Sequence, residues 1–277
     1  MRSVADIEMA TRPAGAAEAV DAPARPSLAV ELSIVIPVFN EEERIVSTVC
    51  QISDYLARQE RSYEVIISDD GSRDDGPELV RQHFARRRDV RLIRERTNRG
   101  KGAAVRRGVL AARGDLIIFT DADLSYPVET ISRCVDALKR YDLAIGSRNL
   151  PDSEIATEPP LLRRLAGPAF KTLVRQLALR GFTDTQCGFK GFRAQAAHDI
   201  FINCCINGYA FDVEVLGLAR RFGYSVTEVP VRLLLDSSDS HINLTTDPLR
   251  MILDLLRIRA RLSRAAAAAD EAVTEGK

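Results

Sequence analysis

The sequence predicts a doubly wound α/β fold with a mostly parallel sheet and flanking helices. Two observations support this prediction: short β-branched runs alternate with longer segments of helical periodicity, and polar residues cluster where the runs end. Helices that cross back over a sheet make its strands parallel, and ligands then bind beyond the carboxyl ends of the strands. The residues that follow each strand are therefore the candidates for function.

The elements follow one another in a regular order. The predicted strands are LSIVIPV, YEVIISD, VRLI, DLIIFT and DLAIGS. Helices are expected over EEERIVSTVCQISDYLARQ, around residues 77–86, over about residues 101–112, and from near Pro127 onward. After residue 150 the regularity weakens, and the loop PDSEIATEPP leads into a basic amphipathic segment, LLRRLAGPAFKTLVRQLALR.

The length and composition fit one large α/β domain between two tails. The chain has 277 residues, of which 45% are hydrophobic, so a packed core is expected. Residues 1–29 and 265–277 are rich in Ala and charge without sustained periodicity, and are predicted to be disordered. The folded domain is expected over residues 30–245, followed by a basic amphipathic helix over residues 246–264.

Charge, cysteine content and hydropathy exclude several classes of protein. The formal net charge is zero, so nucleic acid is not an expected partner. The 5 cysteines form no C-x-x-C pair, which fits neither a disulfide framework nor a zinc site and indicates a reducing cytosol. The N-terminus does not resemble a secretory signal. No segment approaches the roughly 18 to 20 continuous apolar residues of a spanning helix, so the chain is expected neither to cross a membrane nor to be exported by the common route.

Two aspartates stand on either side of Ala122 at the end of a strand. The like charges of Asp121 and Asp123 repel one another at this spacing, and a divalent cation would remove the conflict. Such a D-x-D sequence supplies oxygen ligands for Mg²⁺ or Mn²⁺, whose shell is usually completed by substrate phosphates and water. The alternative is that Asp121, Asp123 or Ser125 caps the helix that Pro127 opens.

Two other strand ends carry candidate binding residues. Asp70 lies in SDDGSRDDG, which is either an acidic turn or a carboxylate placed to accept hydrogen bonds from a base or ribose. Pro37 fixes the turn after the first strand, and Phe39 could lie against a base. Asn40 and Glu41 are equally typical of a helix start.

The glycine-rich stretch TNRGKGAAVRRG does not match a nucleotide-binding fingerprint. The G-x-x-x-x-G-K-[ST] spacing is absent, and Gly102 stands where Ser or Thr should follow Lys101. The same glycines fail the G-x-G-x-x-G pattern, which belongs after the first strand. A P-loop NTPase and a dinucleotide-dependent oxidoreductase are therefore not supported.

Taken together, the motifs resemble those of the family 2 glycosyltransferases, which have the GT-A fold. The resemblance rests on P-x-F-N-E-E at 37–42, S-D-D-G-S-x-D at 68–74, N-x-G-K-G at 98–102, D-A-D-L-S-x-P at 121–127 and G-S-R at 146–148. The later runs TDTQCGFKGFRAQAA and GYAFDVEVLGLARRFGYSVTEVPV resemble the polyprenyl-phosphate sugar synthases, that is, dolichyl-phosphate glucosyl- and mannosyltransferases. The resemblance covers about residues 31–245.

The resemblance implies roles for particular side chains. The residues that would hold the nucleoside are Pro37, Phe39, Glu41, Ser68 and Asp70. The residues that would hold the diphosphate through Mg²⁺ or Mn²⁺ are Asp121, Ala122 and Asp123, with Asp123 as the main ligand and Ser125 as a helper. Arg148 would face the donor or acceptor phosphate.

The implied acceptor is a polyprenyl phosphate, whose oxygen is already anionic, so that inverting attack requires no strong base. Asp212 and Glu214 are the nearest equivalents of the family's acidic pair and could position the sugar or a basic neighbour, or they could be ordinary acidic residues at a helix start. The basic residues that could receive the lipid phosphate, or simply form a solvated face, are Arg163, Arg164, Lys190 and Arg193.

A lipid acceptor also requires a surface that meets the membrane. Residues 161–180 and 248–264 mix Leu or Ile with Arg at helical spacing, which is typical of helices in the headgroup plane and also of core helices with a basic outer face. The sequence therefore predicts a peripheral enzyme on the cytoplasmic face of the membrane.

The predicted reaction is inverting, metal-dependent transfer of a hexose to polyprenyl phosphate. Glucose from UDP-glucose is favoured, because D-T-Q-C-G-F-K and F-D-V-E resemble the glucosyl branch. Mannose from GDP-mannose, transfer to a soluble acceptor, and a non-catalytic scaffold that binds nucleotide sugars are the alternatives.

Overall fold

The elements follow the predicted alternation of strand and helix. The computed structural model describes residues 30–156, 174, 181–234 and 250–263, and the backbone at 18–19. Its strands are β1 Glu18–Ala19, β2 Leu32–Val38, β3 Tyr63–Asp69, β4 Val90–Arg94, β5 Leu116–Thr120, β6 Leu143–Ser147, β7 Glu154–Ile155, β8 Phe189–Arg193, β9 Val226–Pro230 and β10 Arg232–Leu233. Its helices are α1 Ile45–Ala57, α2 Gly76–Phe84, α3 Lys101–Leu110, α4 Thr130–Leu138, α5 Ala194–Asn203, α6 Phe211–Arg221 and α7 at 250–263.

Some of the predictions concern residues outside the described ranges. The predicted tails lie outside the described residues apart from β1, and the basic stretch at 161–180 lies outside them apart from Val174. The domain boundaries stay predictions. Within the described ranges, no helix is both long enough and apolar enough to cross a bilayer.

The central sheet confirms the predicted class. Its strand order is β1-β4-β3-β2-β5-β8-β6-β9, and a smaller sheet pairs β10 with β7. The neighbours β4, β3, β2 and β5 run parallel, as do β6 and β9. Strand β8 is antiparallel to both β5 and β6 and joins the two parallel groups.

Strand β8 was not predicted, because its sequence FKGFR contains a lysine and a glycine. The glycine is required by packing, since a Cβ on Gly191 would lie 2.3 Å from the sulfur of Cys134 in α4. The lysine is buried through a tertiary contact described below. Neither reason can be read from a hydrophobic pattern.

Helices cover both faces of the sheet and enclose two cores. Ile34 and Ile36 of β2 belong to the core that contains Ile52 of α1, whereas Val35 belongs to the core that contains Val105 of α3. Successive side chains of a strand point to opposite faces, so a strand buried on both faces must be apolar throughout. This explains why LSIVIPV is almost continuously hydrophobic.

Helix α7 packs against the core on the α3 side. Leu255 and Ile258 are buried there, with 0% and 1% of their surfaces exposed. Leu262 lies over α6 at Gly217, where a Cβ would come within 2.6 Å of Leu262 Cδ1. The apolar spacing of 255, 258 and 262 is that of one helix face.

Candidate active site

Polar residues gather at one edge of the sheet, where β2, β3, β5 and β6 end; we call this edge the strand-end site. Pro37 of β2 pairs with Ser68 of β3, and both strands end one residue later, at Val38 and Asp69. Strand β5 lies on the other side of β2 and leads into Asp121. Parallel strands thus bring together residues that are far apart in the sequence.

The loops after β2 and β3 brace each other. The amide of Asn40 donates to Ser72 Oγ at 2.9 Å, and the amide of Arg73 donates to Asn40 Oδ1 at 2.9 Å. Asn40 has φ 56°, in the left-handed region that Asn tolerates better than most residues. Phe39 and Glu41 are half-buried on either side of it, and Glu41 pairs with Arg44 at 2.9 Å. The predicted nucleoside residues Phe39 and Glu41 therefore lie on a rim, just after β2, that these hydrogen bonds brace.

Asp70 fastens this rim to the loop before α3. Its Oδ2 accepts the amides of Arg99 at 2.9 Å and Gly100 at 2.6 Å. Its buried Oδ1 makes no hydrogen bond to the described residues and lies 3.8 Å from Arg107 Nη1. Burial raises the pKa of Asp70 above its ordinary value. The carboxyl group thus keeps one acceptor for which the described protein supplies no donor.

Ser68 does not reach the strand-end site. Its side chain is fully buried, and its hydroxyl donates to the carbonyl of Ala104 in α3 at 2.7 Å. The predicted contact with a nucleoside is therefore corrected to a contact that holds α3 against β3.

The D-x-D turn does not cap the helix that follows. Helix α4 begins at Thr130, and its N-cap residue Glu129 forms no side-chain hydrogen bond to the helix. Asp123 instead accepts the amide of Ser125 at 2.9 Å, which closes a local turn. The capping alternative is thus excluded, and the helix starts later than predicted because this turn precedes it.

The backbone of this turn is held from below. The carbonyl of Ala122 accepts a hydrogen bond of 2.5 Å from Thr48 Oγ1 in α1, and Ala122 is 4% exposed. Leu124 has φ 48°, a conformation that most side chains avoid. Ser125 is buried, and its carbonyl accepts the amide of Leu234 at 2.9 Å. The two aspartates are therefore carried by a fixed backbone.

Asp121 is fitted closely between Lys101 and Gly188. Lys101 Nζ lies 2.7 Å from Asp121 Oδ1, and the side chains are 25% and 27% exposed. A Cβ on Gly188 would lie 2.0 Å from Asp121 Oδ2, so any larger residue there would displace the Asp121 carboxylate. Burial lowers the pKa of Lys101, but Asp121 and Asp212 outweigh this and hold the pKa above its ordinary range. Lys101 is therefore a permanent cation in the site.

The N-terminus of α3 is closed by protein. The carbonyl of Asn207 accepts the amides of Gly102 at 2.7 Å and Ala103 at 3.3 Å. A Cβ on Gly100 would lie 2.5 Å from the same carbonyl oxygen. These amides are unavailable to phosphate, which agrees with the absence of a P-loop pattern in the sequence.

Asp212 lies at the start of α6 above a buried lysine. Lys190 Nζ donates to Asp212 Oδ1 at 2.6 Å and to the carbonyl of Cys187 at 2.7 Å. Burial raises the pKa of Asp212, although Lys190 and Lys101 oppose the effect. Lys190 is 0% exposed, so the predicted contact between Lys190 and a phosphate is corrected. The Lys190 ammonium group is instead paired with the Asp212 carboxylate.

Glu214 points away from the strand-end site. Residues two apart on a helix diverge by about 200°. Glu214 Oε2 accepts the amides of Cys205 at 2.9 Å and Ile206 at 2.7 Å, and Oε1 accepts Arg261 of α7 at 2.6 Å. The predicted catalytic role of Glu214 is therefore corrected to a structural one.

Arg148 is held by a partner that the sequence did not reveal. Its Nε and Nη2 donate to the two oxygens of Asp184 at 2.6 Å and 2.9 Å, a two-pronged ion pair. Burial raises the pKa of Asp184, but Arg148 outweighs this and the net pKa is lowered. The Asp184 amide donates a hydrogen bond of 3.0 Å to Glu228 Oε1 in β9. Arg148 remains 34% exposed.

Arg193 lies at the opposite edge of the sheet. It donates to the carbonyls of Leu138 and Lys139 at the end of α4, each at 2.8 Å. Arg193 is exposed and lies away from the strand-end site, which favours the alternative of a solvated face. Arg163 and Arg164 lie outside the described residues.

The donor chemistry of the D-x-D turn fits a divalent cation. Asp121 and Asp123 are half-buried carboxylates on one turn. In the described ranges, no three His, Cys, Asp or Glu side chains come together as a complete metal cage. Mg²⁺ and similar ions are commonly bound by one or two carboxylates, with substrate phosphates and water as the other ligands.

Comparison with known proteins identifies the family. Residues 33–201 match the family described as Glycosyl transferase family 2. The chain belongs to this family. It is a glycosyltransferase, and the sequence resemblance is confirmed.

Several similar curated proteins are described as dolichyl-phosphate beta-glucosyltransferases. The protein from Dictyostelium discoideum is 34% identical over 84% of this chain and 75% of its own length. The protein from Saccharomyces cerevisiae is 33% identical over 82% and 74%, and the human protein is 34% identical over 73% and 66%.

Solved structures support the GT-A fold. Glucosyl-3-phosphoglycerate synthase from Mycobacterium tuberculosis, in complex with Mn²⁺, UDP and glucosyl-3-phosphoglycerate, superposes with a TM-score of 0.59 at 21% identity, covering 83% of this chain and 80% of its own. Mannosyl-3-phosphoglycerate synthase from Rubrobacter xylanophilus gives a TM-score of 0.59 at 19% identity, covering 86% and 75%. At this identity the likeness concerns the fold alone.

Proposed function

We propose that this glycosyltransferase transfers glucose from UDP-glucose to a polyprenyl phosphate with inversion of configuration. The observation that supports the proposal most directly is the arrangement at the end of β5, where Asp121 meets Lys101 beside the buried Asp212. The choice of glucose and of a polyprenyl phosphate follows the description shared by the similar curated proteins.

The nucleoside would lie against the rim formed by β2 and β3. Pro37, Phe39 and Glu41 border this rim. The Asp70 side chain is 3% exposed, so Asp70 would support the rim from beneath, through the amides of Arg99 and Gly100. Ser68 has no direct part in this arrangement.

The diphosphate would lie over the D-x-D turn. Asp121 and Asp123 would hold Mg²⁺ or Mn²⁺, which neutralises the charge that develops on the leaving diphosphate. Lys101 and Arg148 add fixed positive charge on either side, and Asp184 keeps the Arg148 fork oriented. Charges that are already in position stabilise a leaving group without reorganisation.

The acceptor needs orientation rather than deprotonation. A phosphate oxygen is anionic at neutral pH and can attack the anomeric carbon directly. Asp212, which faces Lys101 and is buried, is suited to position the sugar or the Lys101 cation. Helix α7 would bring the site to the lipid, because Ile252, Leu253 and Leu256 are 38%, 46% and 46% exposed among exposed arginines.

The proposal can be tested by parallel transfer assays. The purified protein is given radiolabelled UDP-glucose or GDP-mannose with polyprenyl phosphate and Mn²⁺ or Mg²⁺, and the label extracted with the lipid is counted. We expect lipid-linked glucose. Label transferred only from GDP-mannose would indicate the mannosyl reaction, and neither transfer nor hydrolysis of any nucleotide sugar would indicate a scaffold.

A further inference from the structure

Lys190 is a buried charge that the proposed reaction does not use directly. It lies in β8 between β5 and β6, paired in register with Phe119 and Ile145. None of its surface is exposed, and its Nζ stands 5.5 Å from the centre of the Phe119 ring. Burying an ammonium group costs several kcal/mol unless it is paired, so the fold needs a compensating partner here.

The two hydrogen-bond acceptors of Lys190 connect it to Asp212 and to the turn beside Asp121. Asp212 accepts one hydrogen bond from Lys190 Nζ at 2.6 Å. The carbonyl of Cys187 accepts the other at 2.7 Å, and the next residue, Gly188, forms the wall against Asp121 Oδ2. The Lys190 ammonium group therefore holds Asp212 directly. It also holds the turn at Cys187 and Gly188, which packs against Asp121.

The two members of the Lys190–Asp212 pair differ in exposure. The Asp212 side chain is 8% exposed, whereas the Lys190 side chain is 0% exposed. The charged and titratable groups that face Asp212 are Lys190 from β8, Lys101 from α3, Asp121 after β5 and, through Lys101, Tyr209 before α6. Only Lys190 lies on a central strand that is hydrogen-bonded on both sides.

We propose that Lys190 is a positioning residue that holds the Asp212 carboxylate in the orientation needed for glycosyl transfer, while itself touching neither substrate nor cation. This inference rests on the proposed function, in which Asp212 takes part. A misplacement of about 1 Å can cost about 100-fold in rate, so a rigid support for this carboxylate has a large effect.

The experiment compares K190M, D212N and the double variant D212N/K190M with the wild type. Methionine keeps much of the length of lysine and removes the charge. K139M is the matched control, because Lys139 Nζ also lies 2.7 Å from an aspartate oxygen, that of Asp136, but on the surface. For each protein, kcat and KM for UDP-glucose and the melting temperature are measured, and K190M is crystallised.

We expect K190M to lower kcat by about 100-fold with KM changed by less than about threefold, and K139M to match the wild type. In the D212N background, K190M should lower kcat by less than about threefold, because the side chain through which it acts is already altered. The crystal structure of K190M should show the Asp212 carboxylate displaced by more than about 0.5 Å.

The contrary results are equally specific. A K190M variant with kcat within about threefold of wild type, or a further loss of about tenfold in the D212N background, would overturn the inference. If K190M does not fold, the double variant decides, because removing both charges leaves no unpaired buried ion. If the wild type transfers no glucose, the proposed function fails, and the position of Asp212 in the K190M crystal still decides the role of Lys190.

Discussion

At the scale of single residues, the site depends on which of several similar carboxylates faces the donor. Asp212 and Glu214 are both buried at the start of α6, yet one lies beside Lys101 and the other ties α7 to the loop before α6. The sequence spacing shows that the two side chains diverge on a helix, but it does not show which side faces the strand-end site. Only tertiary contacts with Lys190 and Arg261 decide this.

This difference predicts that E214Q and D212N have separate effects. E214Q weakens charge-assisted hydrogen bonds to two amides and Arg261, and should cost about 2–3 kcal/mol in the free energy of unfolding. Its kcat with a short-chain polyprenyl phosphate should stay within about threefold of wild type, whereas D212N should lose about 100-fold. Denaturant unfolding and transfer kinetics measure the two effects, and a 100-fold loss of kcat in E214Q would contradict the assignment.

At the scale of elements, the strand-end site is built where parallel and antiparallel strands meet. The antiparallel strand β8 begins where β5 ends, with Phe189 paired with Thr120. The turn before β8 therefore lies against Asp121. Gly188 does not have a positive φ, so its backbone conformation does not require glycine. The close contact with Asp121 explains the glycine instead.

A methyl group at this contact should disable the site without unfolding the protein. In G188A, the new Cβ would meet Asp121 Oδ2, the tip of a side chain that can rotate away. We expect kcat to fall by about 100-fold while the melting temperature changes by only a few degrees. G208A is the control, because a Cβ there meets Asp254 Oδ2 at an ordinary 3.7 Å. Equal activity of G188A and G208A would exclude the close fit.

The exposed face of α7 should govern binding to lipid. Leu253 is 46% exposed, and on the proposed membrane-facing surface its replacement by Glu would remove an apolar contact with the bilayer and add a charge repelled by anionic lipid. L253E should bind vesicles of mixed neutral and anionic lipid at least about tenfold more weakly than wild type. L110E is the matched control, because Leu110 is 43% exposed at the end of α3. Equal binding of L253E and L110E to the vesicles would contradict a contact between α7 and lipid.

At the scale of the whole molecule, the fold was more predictable than the site. Strands such as β2 and β3 are buried on both faces, so their continuous β-branched runs are visible in the sequence. Strand β8 was missed because the burial of Lys190 depends on Asp212, a residue in another element. The pairs Lys101–Asp121 and Arg148–Asp184 join separate segments in the same way, although Lys101 lies in the N-x-G-K-G motif that was noted.

Acid should lower the free energy of unfolding, because it protonates Asp184 and breaks the Arg148–Asp184 ion pair. The folded pKa of Asp184 is lowered below 3.8, so its contribution to stability is present above that pH and is lost as the pH falls below it. The wild type should exceed D184N by about 2–3 kcal/mol in the free energy of unfolding at pH 7, and by progressively less below pH 4. Urea unfolding across this range measures the difference, and a constant difference would contradict the ion pair.

We propose above that Asp121 and Asp123 hold the diphosphate of the donor through a divalent cation. Calorimetric titration with UDP, with Mn²⁺ and then with EDTA, tests it most directly in the wild type, D121N and D123N. We predict that Mn²⁺ strengthens UDP binding to the wild type at least about tenfold and has little effect on either variant. Equal binding of UDP by the wild type with and without Mn²⁺, or an undiminished effect of Mn²⁺ in both variants, would contradict the claim.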